Sequence, residues 1–459
     1  MKKTISIIFV LLAFQLAINA QEVKGNFSAL PNQPIYLFGF QDFEAYVIDS
    51  SRTDATGDFS LAFSKTDYGM GYLESVDNKP YILLLTNEEV GLKGEAPSYT
   101  GTIAIYKGSQ NRALIKYASQ QPKREKTLTA WRFLQEMYNQ DSLFSSEKTP
   151  KQAISKEIQR IKTQDESFIS NLPKNSYVKW FLPIRKLVSN IPFIVQYRPE
   201  EIPATRDALR EINYADERLY KSGLLKEAIE NHIWFIENSS GPLEAVFRDL
   251  NVSIEIIIKQ LKEDTDKFNL VTSKLFEVLE ERGLFTSAEY LSNRLLEGDD
   301  CGCLNPEFEK KLEKYGKMAE GETAPDINFG EFTYYPDGLT ASKLSEVAAD
   351  YKLVIFAAGW CPHCNEELPL IADYYPQLKE KNIEVILVSL DETSKDFAQF
   401  AGSLPFLSTT DYGKWEGKAV TDYQIYATPT YFLLDKNLKI LKRLRSVEHL
   451  KSWVEYSIE

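Results

Sequence analysis

Residues 353–364, LVIFAAGWCPHC, form the stretch that decides the fold of the C-terminal part of this 459-residue chain. The apolar run before Gly359 predicts a strand that is buried on both faces of a sheet. Pro362 suits the first position of a helix, because the N–H that proline lacks would have no partner there. The sequence therefore predicts a strand-to-helix turn, with Cys361 at the helix N-cap and Cys364 one turn further along.

Strands and helices alternate on the C-terminal side of this turn. The apolar run 383–389 predicts a second buried strand, and runs 431–434 and 439–444 predict a hairpin. Strand–helix–strand units with a terminal hairpin imply a mixed, mostly parallel sheet covered on both faces. We therefore predict an α/β domain over residues 318–459. Its helices are expected from Pro362 to about 381 and over residues 394–401 and 447–457.

The chain before this domain has a different pattern, which predicts a multidomain protein. Residues 21–108 contain short apolar runs separated by turn signals, as is typical of a small all-β sandwich. Residues 109–303 have helical spacing and predict a central α-helical bundle, followed by a linker helix within residues 304–317. Three apolar faces indicate the bundle helices: Ala130, Phe133, Leu134 and Met137; Leu224, Ala228, His232 and Phe235; and Ile254, Ile257, Ile258 and Leu261.

Residues 1–20 have the features of a secretory signal peptide. Lys2 and Lys3 precede an apolar run over residues 5–18, and Ala20 supplies a small residue for cleavage. The run is shorter than the ~20 residues that cross a bilayer, so no transmembrane anchor is expected. We therefore expect an exported, periplasmic protein in a compartment where disulfides persist.

The charge of the chain argues against nucleic-acid partners. Lys and Arg number 53 against 66 Asp and Glu, which gives a formal charge of −13. Such a chain repels phosphate backbones, and no basic block offsets the repulsion. The 3 histidines are widely separated and supply little for a metal site. No metal is expected, and no phosphate loop, Ser-His-Asp arrangement or paired-carboxylate signature is visible.

Cys361 is expected to act as a nucleophile, because the N-terminus of a helix favours a negative sulfur and only a thiolate attacks disulfides. His363 would add a positive charge or a donor in the first turn. Cys364, deeper in the helix, would then resolve the mixed disulfide. An inert disulfide is the alternative, as is half of a zinc site completed by Cys301 and Cys303, although C-x-C spacing does not suit zinc.

Cys301 and Cys303 form a second cysteine pair upstream. A C-x-C disulfide closes a small, strained ring, and strain makes such a bond easier to reduce. The pair is therefore a candidate accessory redox pair that exchanges electrons with Cys361. A local structural disulfide or two idle thiols is the simpler interpretation, and the one that we favour.

The C-terminal part of the chain resembles the thioredoxin superfamily, and specifically the exported TlpA/ResA-like thiol–disulfide oxidoreductases. The resemblance rests on GETAPD at residues 321–326, WCPHC at residues 360–364 and YATPT at residues 426–430. It implies a thioredoxin-like fold in which the two cysteines of WCPHC are catalytic. It also implies a cis proline at Pro429, opposite the cysteines, and a Thr428 backbone that pairs with an extended substrate segment.

Three further positions bear on that resemblance. Ile355 stands where thioredoxin itself has a buried acidic residue, so that proton acceptor is absent. Glu367 matches a carboxylate that some ResA-like proteins place near the cysteines, and its alternative role is to complement the helix dipole. Ala357 replaces an aromatic residue often found upstream of the motif, which would widen the surface near Trp360.

These observations predict an exported thiol–disulfide oxidoreductase that exchanges disulfides with protein substrates and with a redox donor or acceptor protein. No cofactor is needed, because the sulfurs carry both electrons, and Trp360, Pro362 and His363 would shape the site. The domain as a whole indicates a reductase, whereas the Pro-His dipeptide is that of strongly oxidising DsbA-like enzymes. A DsbA-like oxidase or isomerase is therefore an alternative. A peroxidase of the peroxiredoxin kind and a non-catalytic envelope scaffold with a redox-sensing domain are two further candidates.

Overall fold

The computed structural model describes residues 21–239, 241–297, 304–335 and 339–458. The chain divides into two compact units, Met1–Ser240 and Gly241–Glu459. The predicted signal peptide and the pair Cys301 and Cys303 lie outside the described residues.

The boundary between the two units falls inside the predicted helical bundle of residues 109–303. Helices up to Asn238 belong to the first unit, and helices from Leu243 onward belong to the second. The later helices pack on the α/β domain, where the guanidinium of Arg443 lies 3.9 Å from the ring centroid of Phe285. The expectation of one separate bundle is therefore corrected.

The first unit begins with two sheets. Its strands are β1 Gln21–Phe27, β2 Pro34–Gln41, β3 Glu44–Arg52, β4 Asp58–Phe63, β5 Gly69–Glu74, β6 Tyr81–Leu85, β7 Val90–Gly94 and β8 Ala104–Lys107. They form two four-stranded sheets, with strand orders β4-β1-β7-β8 and β3-β2-β5-β6. In β4, Phe59, Leu61 and Phe63 are buried and alternate with exposed residues, the period of a strand with one buried face. Leu37 of the other sheet lies in the same core cluster, so the two sheets share a core.

The helices of the first unit follow these strands. They are α1 Ser109–Gln140, α2 Lys148–Ser170, α3 Tyr177–Tyr197, α4 Ile202–Arg210, α5 Glu217–Tyr220 and α6 Leu225–Asn238. The face predicted for α6 is buried, with Ala228, His232 and Phe235 each almost fully enclosed. Apolar spacing therefore located the core side of α6 correctly.

The prediction of which face of α1 is buried is wrong. Phe133 is 64% exposed and Leu134 37% exposed. The buried side of α1 instead carries Gln121 and Glu125. Glu125 Oε2 lies 3.1 Å from Nη2 of Arg198, so part of this face packs through an ion pair that apolar spacing does not reveal.

The second unit begins with four helices. They are α7 Leu243–Leu261, α8 Thr265–Glu281, α9 Phe285–Glu297 and α10 Pro306–Gly316. The predicted face of α7, including Ile254, Ile257 and Leu261, is buried. α10 corresponds to the predicted linker helix. The side chain of Asn305 caps it by accepting a hydrogen bond from the N–H of Glu307.

The rest of the second unit is the predicted α/β domain. Its strands are β9 Thr333–Tyr334, β10 Tyr351–Ala357, β11 Ile383–Ser389, β12 Leu407–Thr410, β13 Thr430–Asp435 and β14 Ile440–Leu444. Its helices are α11 Pro362–Glu380, α12 Ser394–Ala401, α13 Lys418–Asp422 and α14 Val447–Ser457. One six-stranded sheet has the order β14-β13-β10-β11-β12-β9. The short strands β9 and β12 were not predicted, because neither has an extended apolar run.

The register of this sheet positions the candidate site. β10 pairs in parallel with β11 and antiparallel with β13. The last residues of β10 and β11, Ala357 and Ser389, therefore lie side by side at one edge of the sheet. Thr430 begins β13 opposite Phe356, so the loop that carries Pro429 reaches the same edge. Among the helices that the structure describes, none combines the length and apolar character needed to cross a membrane.

Candidate active site

Cys361 occupies the turn between β10 and α11. Its backbone is extended, with φ −88° and ψ 115°, and it is the N-cap of α11, with Pro362 at the first helical position. Its Sγ accepts a hydrogen bond from the N–H of Cys364 at 3.3 Å. One of the N–H groups that a helix start leaves without a helical partner is thus directed at this sulfur.

The loop that carries Pro429 lies against the same sulfur. The Thr428–Pro429 peptide bond is cis. Cys361 Sγ donates a hydrogen bond to the carbonyl oxygen of Thr428 at 3.3 Å. The structure therefore brings together three residues that are separated by up to 68 positions in the sequence.

Cys364 is the more enclosed of the two cysteines. It is 0% exposed, and Cys361 is 5% exposed. Both are free thiols in this structure. Burial raises the pKa of the Cys364 thiol well above its ordinary value, and its hydrogen bond with Cys361 raises it further. Cys364 is therefore held in the protonated form while Cys361 is a free thiol.

Trp360 and His363 face the surface beside the cysteines. The Trp360 ring is 47% exposed and lies 5.9 Å, centroid to centroid, from that of Trp415. Nδ1 of His363 lies 3.6 Å from a carboxylate oxygen of Glu366, and both side chains are more than three-quarters exposed. Among the described residues, His363 makes no hydrogen bond to either sulfur, because its side chain lies along the outside of the helix.

Glu367 is held by hydrogen bonds from two other elements of the domain. Its Oε2 accepts hydrogen bonds from the hydroxyl of Tyr431 at 3.1 Å and from the N–H of Val447 at 2.8 Å. Val447 is the first residue of α14, so the carboxylate complements the N-terminus of α14 rather than that of its own helix. Burial raises the pKa of the Tyr431 hydroxyl, and the Glu367 charge raises it further.

Two residues before Cys361, the backbone of Gly359 is bonded by side chains that the sequence did not point to. Its N–H donates to Asp391 Oδ1 at 3.1 Å, and its carbonyl oxygen accepts from Asn365 Nδ2 at 2.9 Å. The position of Asp391, two residues after the end of the buried strand β11, was the available signal. Carboxyl ends of neighbouring parallel strands meet at one sheet edge, so Asp391 is expected near the Cys361 turn once β10 and β11 are known to be neighbours.

Ile355 is fully buried in β10, between Leu387 of β11 and Tyr431 of β13. The position matched to the acidic residue of thioredoxin is therefore apolar and enclosed. Within the described part of the chain, no group of three or more His, Cys, Asp and Glu side chains is arranged to hold a metal ion.

Comparison with known proteins matches residues 319–455 to the family model described as Redoxin. The thiol-disulfide oxidoreductase ResA of Bacillus thuringiensis subsp. konkukian is 31% identical over 103 residues, covering 22% of this chain and 58% of that protein. ResA of Oceanobacillus iheyensis is 30% identical over 120 residues, covering 26% of this chain and 62% of that protein. The chain thus spans less than two thirds of the length of these relatives.

A crystal structure of a thioredoxin-like protein from Bacteroides caccae is also similar, with 17% sequence identity and a TM-score of 0.37. The match covers 62% of this chain and 98% of that chain.

The family match and the relatives define the class of the C-terminal region. Residues 319–455 form a domain of the thioredoxin superfamily. This region is similar to the ResA thiol-disulfide oxidoreductases, and the resemblance stated from the sequence motifs is confirmed.

Proposed function

We propose that this protein is an exported, periplasmic thiol–disulfide oxidoreductase that reduces disulfides in protein substrates. The observation that carries the proposal is the placement of Cys361 Sγ, which accepts the Cys364 N–H and lies 3.3 Å from the Thr428 carbonyl. A sulfur at a helix N-cap is suited to nucleophilic attack as a thiolate. The relatives named thiol-disulfide oxidoreductase ResA support the same activity.

The reaction we propose proceeds in two exchange steps. The Cys361 thiolate attacks one sulfur of the substrate disulfide, a mixed disulfide forms, and the leaving thiolate takes up the proton that Cys361 had released to solvent. Cys364 then gives up its proton and attacks the Cys361 sulfur. A Cys361–Cys364 disulfide forms, and the second substrate thiol leaves with the proton of Cys364. Two electrons pass to the substrate, and a dithiol donor protein returns the enzyme to its reduced form.

The burial of Cys364 fits the second step. Because burial raises the pKa of Cys364, this thiol stays protonated until the mixed disulfide forms beside it. The carbonyl oxygen of Thr428 would pair with the backbone of an extended substrate segment once the Cys361 S–H no longer donates to it. Trp360 would contribute an exposed aromatic surface for the substrate.

Insulin reduction by the full-length protein, with dithiothreitol as the donor, tests this function. The wild type should accelerate reduction, and Cys361→Ser should return the rate to that without protein. Cys364→Ser should accumulate a mixed disulfide at Cys361, visible as an increase in mass. A wild type that fails with every thiol donor would refute the enzyme and leave the envelope scaffold.

The equilibrium of the Cys361–Cys364 pair with glutathione tests the direction. A reduction potential near that of thioredoxin, which is about −270 mV, supports the reductase. A value near that of DsbA, about −120 mV, would overturn this direction and favour the oxidase that the Pro-His dipeptide suggests.

We keep a structural or idle role for Cys301 and Cys303. The double variant Cys301→Ser/Cys303→Ser should leave insulin reduction and the glutathione equilibrium unchanged. A change in both would assign the accessory redox role instead.

A further inference from the structure

The turn that carries Cys361 is bonded to side chains from both sides of Gly359. The backbone nitrogen of Gly359 lies 3.1 and 3.3 Å from the two carboxylate oxygens of Asp391, to which its N–H donates. Its carbonyl oxygen accepts a hydrogen bond from Asn365 Nδ2 at 2.9 Å. One partner comes from the end of a neighbouring strand and the other from the helix that follows Cys361. The peptide groups just before the proposed nucleophile are thereby fixed relative to both elements.

Asp391 is a buried carboxylate that is itself held in place. It is 1% exposed. Ser389 Oγ donates to its Oδ2 at 2.7 Å, and the Asp391 N–H donates back to Ser389 Oγ at 3.1 Å. A carboxylate enclosed to this extent is costly unless hydrogen bonds compensate it, so these donors account for its presence.

The sheet register brings Asp391 to the turn. Ser389, the last residue of β11, is paired with Ala357, the last residue of β10. The N–H of Leu390 continues the ladder by donating to the carbonyl oxygen of Ala357 at 2.9 Å. Asp391 is the next residue and therefore emerges beside Gly359.

Gly359 is suited to this close approach. A Cβ placed on it would lie 3.1 Å from Cβ of Phe400 and 3.4 Å from Oδ1 of Asp391. The first of these distances is tighter than ordinary contact, so a larger residue would require the turn or Phe400 to shift.

From this geometry we propose that Asp391 is the positioning residue of the active-site turn. Its carboxylate fixes Gly359 so that Cys361 stays at the N-cap with its sulfur facing the Cys364 N–H. Asn365, on the surface, holds the same glycine by donating to its carbonyl oxygen. The inference rests on the proposed thiol–disulfide exchange at Cys361 and adds the group that holds the nucleophile in place.

Rate measurements on Asp391→Ala and Asp391→Asn in the full-length protein test the proposal. Alanine removes the acceptor, so reduction of insulin and of a small disulfide should both slow by about tenfold or more, since a small misplacement of a reacting group is costly. Asparagine keeps an oxygen for the Gly359 N–H, and the Ser389 hydroxyl can reorient toward its amide, so rates should stay within about threefold of wild type. Asp373→Ala and Asp373→Asn, at an exposed position of α11, are the matched controls.

The glutathione equilibrium of the Cys361–Cys364 pair is a second readout that does not depend on substrate turnover. Asp391→Ala should shift it toward the disulfide, because the reduced form loses the aligned Cys364 N–H, and Asp391→Asn should not. Asp391→Ala at wild-type rates, or equal losses with alanine and asparagine, would overturn the proposal. If wild type itself reduces nothing but the equilibrium still shifts in Asp391→Ala, the proposed function fails and the positioning role stands.

If Asp391→Ala does not fold, Asn365→Ala still tests the second hydrogen bond to Gly359, the one that its carbonyl oxygen accepts from Asn365. Asn365 lies on the surface, so its loss spares the core. We expect its rates to fall by roughly threefold, which corresponds to the loss of one ordinary hydrogen bond. If Asp391→Ala is unfolded and the rates of Asn365→Ala are unchanged, the proposal that these side chains position Gly359 is refuted.

Discussion

Two enclosed acids, Glu125 of the first unit and Glu289 of the second, have different surroundings. In the first unit, buried Glu125 lies 3.1 Å from buried Arg198, so each charge faces its opposite. In the second unit, Oε1 of Glu289 is buried without a hydrogen-bond partner among the described residues. Burial raises the pKa of Glu289 to about 7, and the charge of Glu320 raises it further. The comparison shows that an enclosed acid either lies beside a cation or has a raised pKa.

The largest effect should come from breaking the ion pair of the first unit. Arg198→Ala leaves Glu125 buried without its cation, so we expect the free energy of unfolding of that unit to fall by about 3–5 kcal/mol. Arg185→Ala, which removes a half-exposed pair with Glu227, is the control and should cost about 1 kcal/mol or less.

Urea unfolding measures the two losses. Insulin reduction at low temperature should be unchanged in both variants, because the Cys361 site lies wholly within the second unit. An Arg198→Ala protein no less stable than Arg185→Ala would contradict the view that this pair holds the helices of the first unit.

The burial of Glu125 also shows which parts of the core apolar spacing can and cannot predict. Apolar spacing located the core sides of α6 and α7 and the buried strands β10 and β11, because most of the buried residues there are apolar. It failed on α1, where Glu125 is buried and Phe133 is exposed. A charge that is buried beside a distant partner has the same local pattern as a charge in water.

The candidate site likewise has features that the sequence predicted and features that it did not. Local chemistry at the strand-to-helix turn predicted the N-cap position of Cys361, and the motif resemblance predicted its proximity to Thr428. The roles of Asp391 and Tyr431 were not predicted, because each depends on the register of strands more than 30 residues away. Such contacts become visible only when the order and register of the sheet are known.

Glu289 of the second unit should give a pH-dependent effect of intermediate size. Below pH 4.5, Glu289 is protonated in the folded and the unfolded chain and contributes nothing. As the pH rises from 4.5 to about 7, the unfolded chain releases this proton while the folded chain retains it, so the free energy of unfolding falls. Glu289→Gln removes this loss and should be more stable than wild type above pH 7, by on the order of 2 kcal/mol.

Urea unfolding at pH 4.5 and pH 8 compares the two proteins. The advantage of Glu289→Gln should be present at pH 8 and absent at pH 4.5. Glu281→Gln, at an exposed position of α8, should show no difference between the two pH values. An advantage of equal size at both pH values would mean that the Glu289 charge is not its origin.

The smallest effect concerns a cation of the second unit that lies beside the proposed substrate loop. Nζ of Lys311, in α10, lies 5.2 Å from the Phe276 ring centroid and 5.5 Å from that of Tyr426. Tyr426 is two residues before Thr428, whose carbonyl faces Cys361. Because a cation over an aromatic face contributes about 0.5–1 kcal/mol, Lys311→Ala should raise KM for insulin by two- to fivefold.

The contrast between substrates distinguishes support of this loop from a general effect on the site. A small disulfide does not need the extended backbone of Thr428, so its rate should be unchanged in Lys311→Ala. Lys311→Arg keeps a cation over both rings and should behave as wild type, and Lys310→Ala, at the exposed neighbouring position, is the control. A loss of equal size for both substrates would place the effect at Cys361. The chain thus holds ionisable groups in three separable ways: Glu125 beside a cation, Glu289 with a raised pKa, and Lys311 over two aromatic rings.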